Sequence, residues 1–333
     1  MMSSRSLVFG GDRSSNAFRL AGIIALPVAV DTAVYTAARD DELRLWINRP
    51  ATKTLQLRVR PDRSIEELPP LGTVASGAAR CDGEFVVTGA NAEGRPVVLG
   101  LADDGTVAWQ FSLDGPVPIR WPIPLCAPRP TIVWQTSTST LEVARVDRSI
   151  LAGHRAVPVG GPPLVVASAG DSIWAAWTGT SAVTCAEITE TGVRAMQVPA
   201  DLASDAAICG CSAGACVAWI QNGSAYFTRI VHGAAPTEPV VALDLAEAAG
   251  GTMALVTGPR AVVWAQRGEI IEGETPRWTS ALVLPGWETF TVEGRVQAVV
   301  WWAGGLVVVG SEALYFVEVL QVEPPPVRSW ERA

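Results

Sequence analysis

CVAWIQNG, residues 216–223, carries Trp219 in a short apolar run that ends in an Asn-Gly pair. Such a run is a β-strand entering a two-residue hairpin turn. The pattern returns as TIVWQT (131–136), AAWTG (175–179) and AVVWAQRG (261–268), and the four tryptophans, Trp134, Trp177, Trp219 and Trp264, stand 43, 42 and 45 residues apart. Carried outward, the same frame reaches Val308 in GLVVVGSE, Val87 in EFVVTGAN and Trp46 in ELRLWINRP. Eight residues before these anchors stand Ala38, Ala79, Cys126, Ala169, Cys211, Val256 and Val300, mostly small side chains where strands would crowd together.

A period of forty-odd residues is one supersecondary unit, which buries its apolar face only by stacking on its neighbours. Four short strands per unit, packed radially, predict an all-β fold, a seven-bladed β-propeller of four-stranded antiparallel blades. The expected blades cover about 32–71, 72–116, 117–161, 162–203, 204–246, 247–290 and 291–325 of a single domain, followed by a tail at 326–333. The last blade has only three strands of its own, and AFRLAGIIALPV supplies a spare strand near the N-terminus, about 17–28. We expect that strand to complete the last blade and so remove an open edge. The sixth blade is the least regular, because its expected third strand, EIIEGETPRW, contains a proline. LDLAEAAGG (243–251) would give barely two helical turns.

Composition narrows the function classes. The 333 residues are 49% hydrophobic and 17% charged, enough to build a large core. A balance of 25 Lys and Arg against 33 Asp and Glu gives a net charge of −8, which repels a phosphate backbone and argues against nucleic acid as a partner. Lys53 is the only lysine, an association with high-GC bacterial genomes. MMSSRSLVFGGDRSS has too short an apolar stretch for a secretory h-region, and no apolar run reaches membrane-spanning length, so a cytoplasmic protein with no membrane partner is expected.

Two short segments resemble known repeats. DELRLWIN (41–48) resembles the third strand of a WD40 repeat, with Ile47 where the signature Asp would follow Trp46. Asp104 to Trp109 is similar to the DxxTGxxxW segment of quinoprotein-type repeats and is a near miss for the sialidase Asp-box. Each resemblance covers about ten residues; it implies the propeller superfold and carries over no cofactor and no catalytic residue.

Candidate chemistry is sparse. Gly210-Cys211-Ser212-Ala213-Gly214 matches G-x-S-x-G, but a strand follows where a nucleophile elbow needs a helix, so a hairpin turn is expected. His154 and His232, the only histidines, fall near the outer strands, too far from the axis for a catalytic triad or a metal site in the channel. Cys209, Cys211 and Cys216 lack zinc-knuckle spacing; Cys211 and Cys216 could face each other in a hairpin, whereas Cys81, Cys126 and Cys185 are expected as single buried thiols. Asp40-Asp41 and Asp103-Asp104 sit in expected tight turns and receive no catalytic role. The periodic tryptophans are expected to pack between blades. Trp121, Trp278, Trp287 and Trp330 break the period, and Trp121 and Trp287 are the first to consider for a partner.

These readings converge on a monomeric, non-catalytic scaffold without metal or cofactor, which binds a protein or peptide partner through one loop-rich face. The expected contact residues are Asn48, Arg49, Arg120, Trp121, Gln221, Asn222, Gln266 and Arg267, a mixture of Arg and Trp typical of binding hot spots. The alternatives are a lyase or hydrolase acting on a sugar or modified peptide in the central channel, and small-molecule binding there without turnover.

Overall fold

The computed structural model describes residues 8–9, 18–30, 32–49, 53–115, 118–148, 150–160, 164–211, 213–244, 252–257, 261–269, 277–283, 289–293 and 295–320. Every element among them is a strand. Two come first, β1 (Val8–Phe9) and β2 (Phe18–Ala25). The first blade is β3 (Val34–Arg39), β4 (Glu42–Arg49), β5 (Lys53–Val59) and β6 (Ile65–Leu71). The second is β7 (Val74–Cys81), β8 (Glu84–Ala90), β9 (Pro96–Leu101) and β10 (Val107–Ser112). The third is β11 (Arg120–Cys126), β12 (Pro130–Ser137), β13 (Thr140–Asp147) and β14 (Ile150–Pro158). The fourth is β15 (Leu164–Ala169), β16 (Ser172–Thr178), β17 (Ala182–Ile188) and β18 (Val193–Pro199), and the fifth is β19 (Ser204–Cys211), β20 (Gly214–Gln221), β21 (Ser224–Val231) and β22 (Val240–Asp244). Then come β23 (Thr252–Thr257), β24 (Ala261–Glu269), β25 (Arg277–Val283) and β26 (Thr289–Glu293), and finally β27 (Ala298–Trp302), β28 (Gly305–Val309) and β29 (Ala313–Val319).

Each blade is an antiparallel meander, and the innermost strands touch in chain order from β3 to β27 and back to β3. The expected set of seven four-stranded blades is corrected here. Six sheets have four strands, whereas β23 to β26 form a five-stranded sheet in which β1 pairs with β26, Val8 opposite Glu293. A two-residue strand near the N-terminus supplies the extra edge that the repeat frame does not contain. The closing blade has the order β2-β29-β28-β27, with Phe18 opposite Val319 and Ala25 opposite Ala313, so the N-terminal strand is its outermost member. The irregular sheet also differs in detail from expectation: its third strand is Arg277–Val283 and its second continues to Glu269, while Pro276 lies outside the described residues. Leu243 and Asp244 belong to β22, and the rest of LDLAEAAGG lies outside the described residues.

The core sits at the seams between sheets. Every anchor falls on the second strand of its sheet, and every small residue eight positions earlier falls on an innermost strand. Gly210 shows why small residues are needed at the axis: a Cβ there would lie 1.7 Å from the Ser168 carbonyl oxygen of the neighbouring blade. The anchor tryptophans do wedge between blades, but not all on the same side. Trp46 packs on Phe85 and Leu99 of the following blade and Trp264 on Leu306 and Tyr315 of the following sheet. Trp134, Trp177 and Trp219 instead face the preceding blade, against Val98, Val133 and Trp174 respectively. Side chains alternate faces along a strand, so an offset of one residue in the frame moves an indole to the opposite seam.

The orientation of the innermost strands is set by contacts at both ends. Ser76 of β7 and Thr88 of β8 donate hydrogen bonds to the Pro122 carbonyl at 2.8 and 2.6 Å, joining the upper end of the second blade to the early part of β11. Cys81 and Cys126, at the last residues of the same two strands, form a disulfide with a Cα–Cα distance of 5.3 Å. The expectation of two single thiols is therefore corrected. Their sequence separation of 45 residues is one repeat, which brings equivalent strand ends of adjacent blades together. Below, the face where the chain enters the innermost strands is the upper face, and the other is the lower face.

Candidate functional site

Of the eight residues expected at the partner face, six lie on strand ends or turns of the upper face and Gln266 and Arg267 lie within β24, and they do different work. Asn48, at the end of β4, spends its amide on structure: Nδ2 donates to the Ala75 carbonyl and Oδ1 accepts from the Ala75 N–H, each at 2.9 Å, which ties the first blade to the second. Gln221 accepts a hydrogen bond from the Trp219 indole at 3.2 Å and holds that ring in its seam. Asn222 and Gly223 make the expected two-residue turn, with φ of 50° and 77° and Gln221 opposite Ser224. Arg49 ends β4 opposite Lys53 and is exposed. Gln266 and Arg267 stand on β24 opposite Ser280 and Thr279, and their side chains lie outside the described residues.

Arg120 and Trp121 remain, and they differ from the others. They open β11, the innermost strand of the third blade, where the pairing with β12 slips between Arg120 and Ile123. A β-bulge of this kind re-aims side chains and is common next to sites. Pro122, which has no N–H to give the ladder, stands inside the slip. Both side chains are half-buried, and Ile119 beside them is 62% exposed. Burial pulls the Arg120 guanidinium below its ordinary value. No carboxylate or carbonyl among the described residues pairs with it. A partly desolvated cation without a partner is costly to keep, and an incoming carboxylate would offset that cost. The other non-periodic tryptophans are out of reach here: Trp287 and Trp330 lie outside the described residues, as does the side chain of Trp278.

The lower face carries the two Asp pairs together with Glu42 and its arginines, which sequence spacing did not single out. Glu42, 2% exposed, accepts contacts from Arg39 at 3.4 Å, Arg44 at 2.9 Å and Arg58 at 2.7 Å. Arg39 also binds Asp41 at 2.7 Å and Asp103 at 2.9 Å, so one member of each Asp pair ends on the same guanidinium. Asp104 instead accepts from the Thr106 hydroxyl at 2.6 Å and N–H at 2.9 Å, which holds its carboxyl below the ordinary range and shapes the β9–β10 turn. The histidines are structural too. His154 stacks on Trp134 and lies 2.9 Å from Glu142; His232 packs against Trp174 and lies 2.5 Å from Glu187.

The GCSAG segment is a hairpin, with Cys211 opposite Gly214 and β20 following directly; Ser212 lies outside the described residues. The suggested Cys211–Cys216 facing pair is corrected: the register sets Cys216 opposite Cys209. The hydrogen bond from Cys209, with help from Cys211 and Arg229, lowers Cys216 to about 7 against its burial, while the same bond first and burial second raise Cys209. Cys185, isolated in apolar surroundings, is pushed up to about 12. Above about pH 7 the pair thus holds one thiolate on Cys216, with the proton kept on Cys209. A thiolate absorbance titration of the reduced protein is expected to show one step near pH 7, and Cys209→Ala should move that step up towards 9, the ordinary thiol value. A step that stays near 7 in the variant would refute this pairing. Among the described residues no group of three or more His, Cys, Asp or Glu could hold a metal ion, and no helix is long and apolar enough to cross a membrane.

Radial antiparallel four-stranded sheets around an axis, with indoles in the seams, define a β-propeller. Among solved structures the chain is similar to YCF48 bound to D1 peptide, at a TM-score of 0.57 and 12% identity over 96% of this chain and 100% of that one. It is also similar to AofleA from Arthrobotrys oligospora, at a TM-score of 0.49 and 11% identity over 83% of this chain and 92% of that one. No family model matches the chain, and no curated protein matches it.

Proposed function

We propose that this protein is a non-catalytic scaffold that captures a protein or peptide segment on its upper face, with the five-stranded sheet serving as the seventh sector of the ring. The observation that carries the reading is the half-buried Arg120, which pairs with no carboxylate or carbonyl among the described residues, beside Trp121 on the β11 bulge and next to exposed Ile119. Trp and Arg dominate binding hot spots because they bury a large flat surface and a forked cation together. The chemistry selects a segment with an apolar side chain for Trp121 and Ile119 and a carboxylate, from a side chain or a C-terminus, for Arg120. That YCF48, to which the chain is similar in fold, was solved bound to a peptide supports the reading. A monomeric protein is part of the proposal, and the Cys81–Cys126 bond argues for oxidising surroundings in place of the expected cytoplasm, because disulfides persist where surroundings oxidise.

The test is selection of a displayed random-peptide library on the wild-type chain, followed by binding of the selected peptides to variants. Arg120→Ala and Trp121→Ala are each expected to weaken binding by about thirtyfold, equivalent to roughly 2 kcal/mol, with little change in melting temperature. Arg49→Ala and Arg267→Ala should weaken it less. Retention of full affinity in both Arg120→Ala and Trp121→Ala would overturn the assignment of this face.

A further inference from the structure

On the lower face, away from Arg120 and Trp121, the second and third blades part to leave a cavity of about 510 Å³. That volume falls within the range of roughly 300–1,000 Å³ that small-molecule sites occupy. Its aromatic wall is Trp109. The β9–β10 register shifts between Val107 and Trp109, which turns this indole aside from the regular pleat. The ring lies over Gly100, where a Cβ would come within 1.9 Å of it, and stacks with Phe111 at an interplanar angle of 14°. Its Nε1 donates to Glu84 at 3.2 Å, so the indole is held in one orientation. The side chain is half-buried and lines the cavity.

The remaining lining combines Cys81, Pro130, Val146 and Ala152 with charges that balance in sign, Arg129, Arg145 and Arg148 against Asp82, Glu84 and Asp147. Arg145 is already paired with Glu190 of the fourth blade, and Glu84 is shared with Trp109. Asp82, Arg129, Asp147 and Arg148 are exposed and make no side-chain ion pair among the described residues. An anion would meet three carboxylates here and a cation three guanidiniums, so neither sign of net charge is favoured. The ligand that suits the lining is neutral, needs both hydrogen-bond donors and acceptors, and has one flat apolar face for an indole.

We propose that this cavity binds a single sugar residue, with the C–H face of the ring on Trp109 and its hydroxyls on the arginine forks and carboxylates. Donors and acceptors at fixed positions around one stacking face are what distinguish one stereoisomer of a polyol from another. The protein would then carry a glycan site on the face opposite its peptide surface, and the two can succeed or fail separately.

The experiment is saturation-transfer difference NMR on the full chain with the methyl glycosides of glucose, mannose, galactose, fucose and N-acetylglucosamine. Saturation of the ring protons of at least one glycoside is expected. Its affinity should fall about tenfold in Trp109→Ala, the scale of a lost aromatic stack with its buried area, and by a similar factor in Arg148→Ala, while Trp121→Ala leaves it unchanged. Arg148 is an exposed turn side chain, so that variant decides the matter even if Trp109→Ala fails to fold. Three results overturn the proposal: no glycoside receives saturation, the signal survives in Arg148→Ala at full strength, or inorganic phosphate displaces the sugar and binds more tightly.

Discussion

A chain lacking residues 1–30 is expected to lose cooperative unfolding and to self-associate, whereas removal of residues 1–16 alone should leave a folded monomer. The longer deletion takes β2 away from β29, and with it Phe18, which is fully buried in the seam with the five-stranded sheet, and Leu26 and Val30, buried in the seam with the first blade. Full burial of each such side chain contributes about 1.5–3 kcal/mol. The loss also uncovers the N–H and C=O groups of β29, a template for pairing with another chain. Further anchors disappear with it: Arg63 of the first blade donates to the Ala21 carbonyl at 3.2 Å, and Gln297 donates to the Val30 carbonyl at 3.2 Å. Among the described residues the shorter deletion removes only β1, which adds two paired residues to an already four-stranded sheet. Size-exclusion chromatography and denaturant unfolding of both truncations check this. A monomeric longer deletion with a single sharp transition would show that the ring does not depend on the N-terminal strand.

Glu42→Gln should be the most destabilising conservative substitution in the molecule. Its carboxylate is the only one that meets Arg44 among the described residues, and Arg44 is fully buried. Burial already pulls the Arg44 guanidinium below its ordinary value, and Glu42 is the chief influence in the other direction. Removing one partner of a buried pair leaves an uncompensated charge, at about 3–5 kcal/mol. Arg44→Met should cost less, about 1–3 kcal/mol, the scale of acceptors left unpaired. It removes the charge, leaves Glu42 with Arg39 and Arg58, and deprives only the Ala102 and Asp103 carbonyls, now bound at 3.2 and 2.6 Å, and the Phe85 ring, over which the guanidinium lies at 4.2 Å. Urea midpoints of the two variants give the order directly. A larger loss in Arg44→Met would mean that the carbonyl contacts, not charge compensation, hold this junction between the first two blades.

Much of the architecture was legible because it repeats. Trp219 and its counterparts mark second strands, and the residues from Ala38 to Val300 mark innermost strands, since both positions face the same packing problem in every unit. The Asn222-Gly223 turn was legible because its backbone conformation excludes most other residues. A pair of cysteines 45 residues apart was a signal for the disulfide that the frame could have exposed, had Cys81 and Cys126 been read as ends of neighbouring innermost strands. Asn48 and Gln221 show the limit at the other end: their positions on the upper face were predicted, but their amides are consumed by Ala75 and Trp219. A side chain's availability depends on what the adjacent blade presents to it, and that is absent from any local pattern.

The sequence by itself determined that strands alternate with turns at a fixed period, that the chain builds an all-β ring of antiparallel sheets, and that the N-terminal strand has an open edge to fill. These follow from propensity and periodicity, which act within one repeat. Only the tertiary structure decided which seam each indole enters, which arginine is buried with a carboxylate and which has none among the described residues, and where two blades part to open a cavity. Those outcomes depend on contacts between residues one or more repeats apart, where a shift of one position reverses the side of the sheet a residue faces.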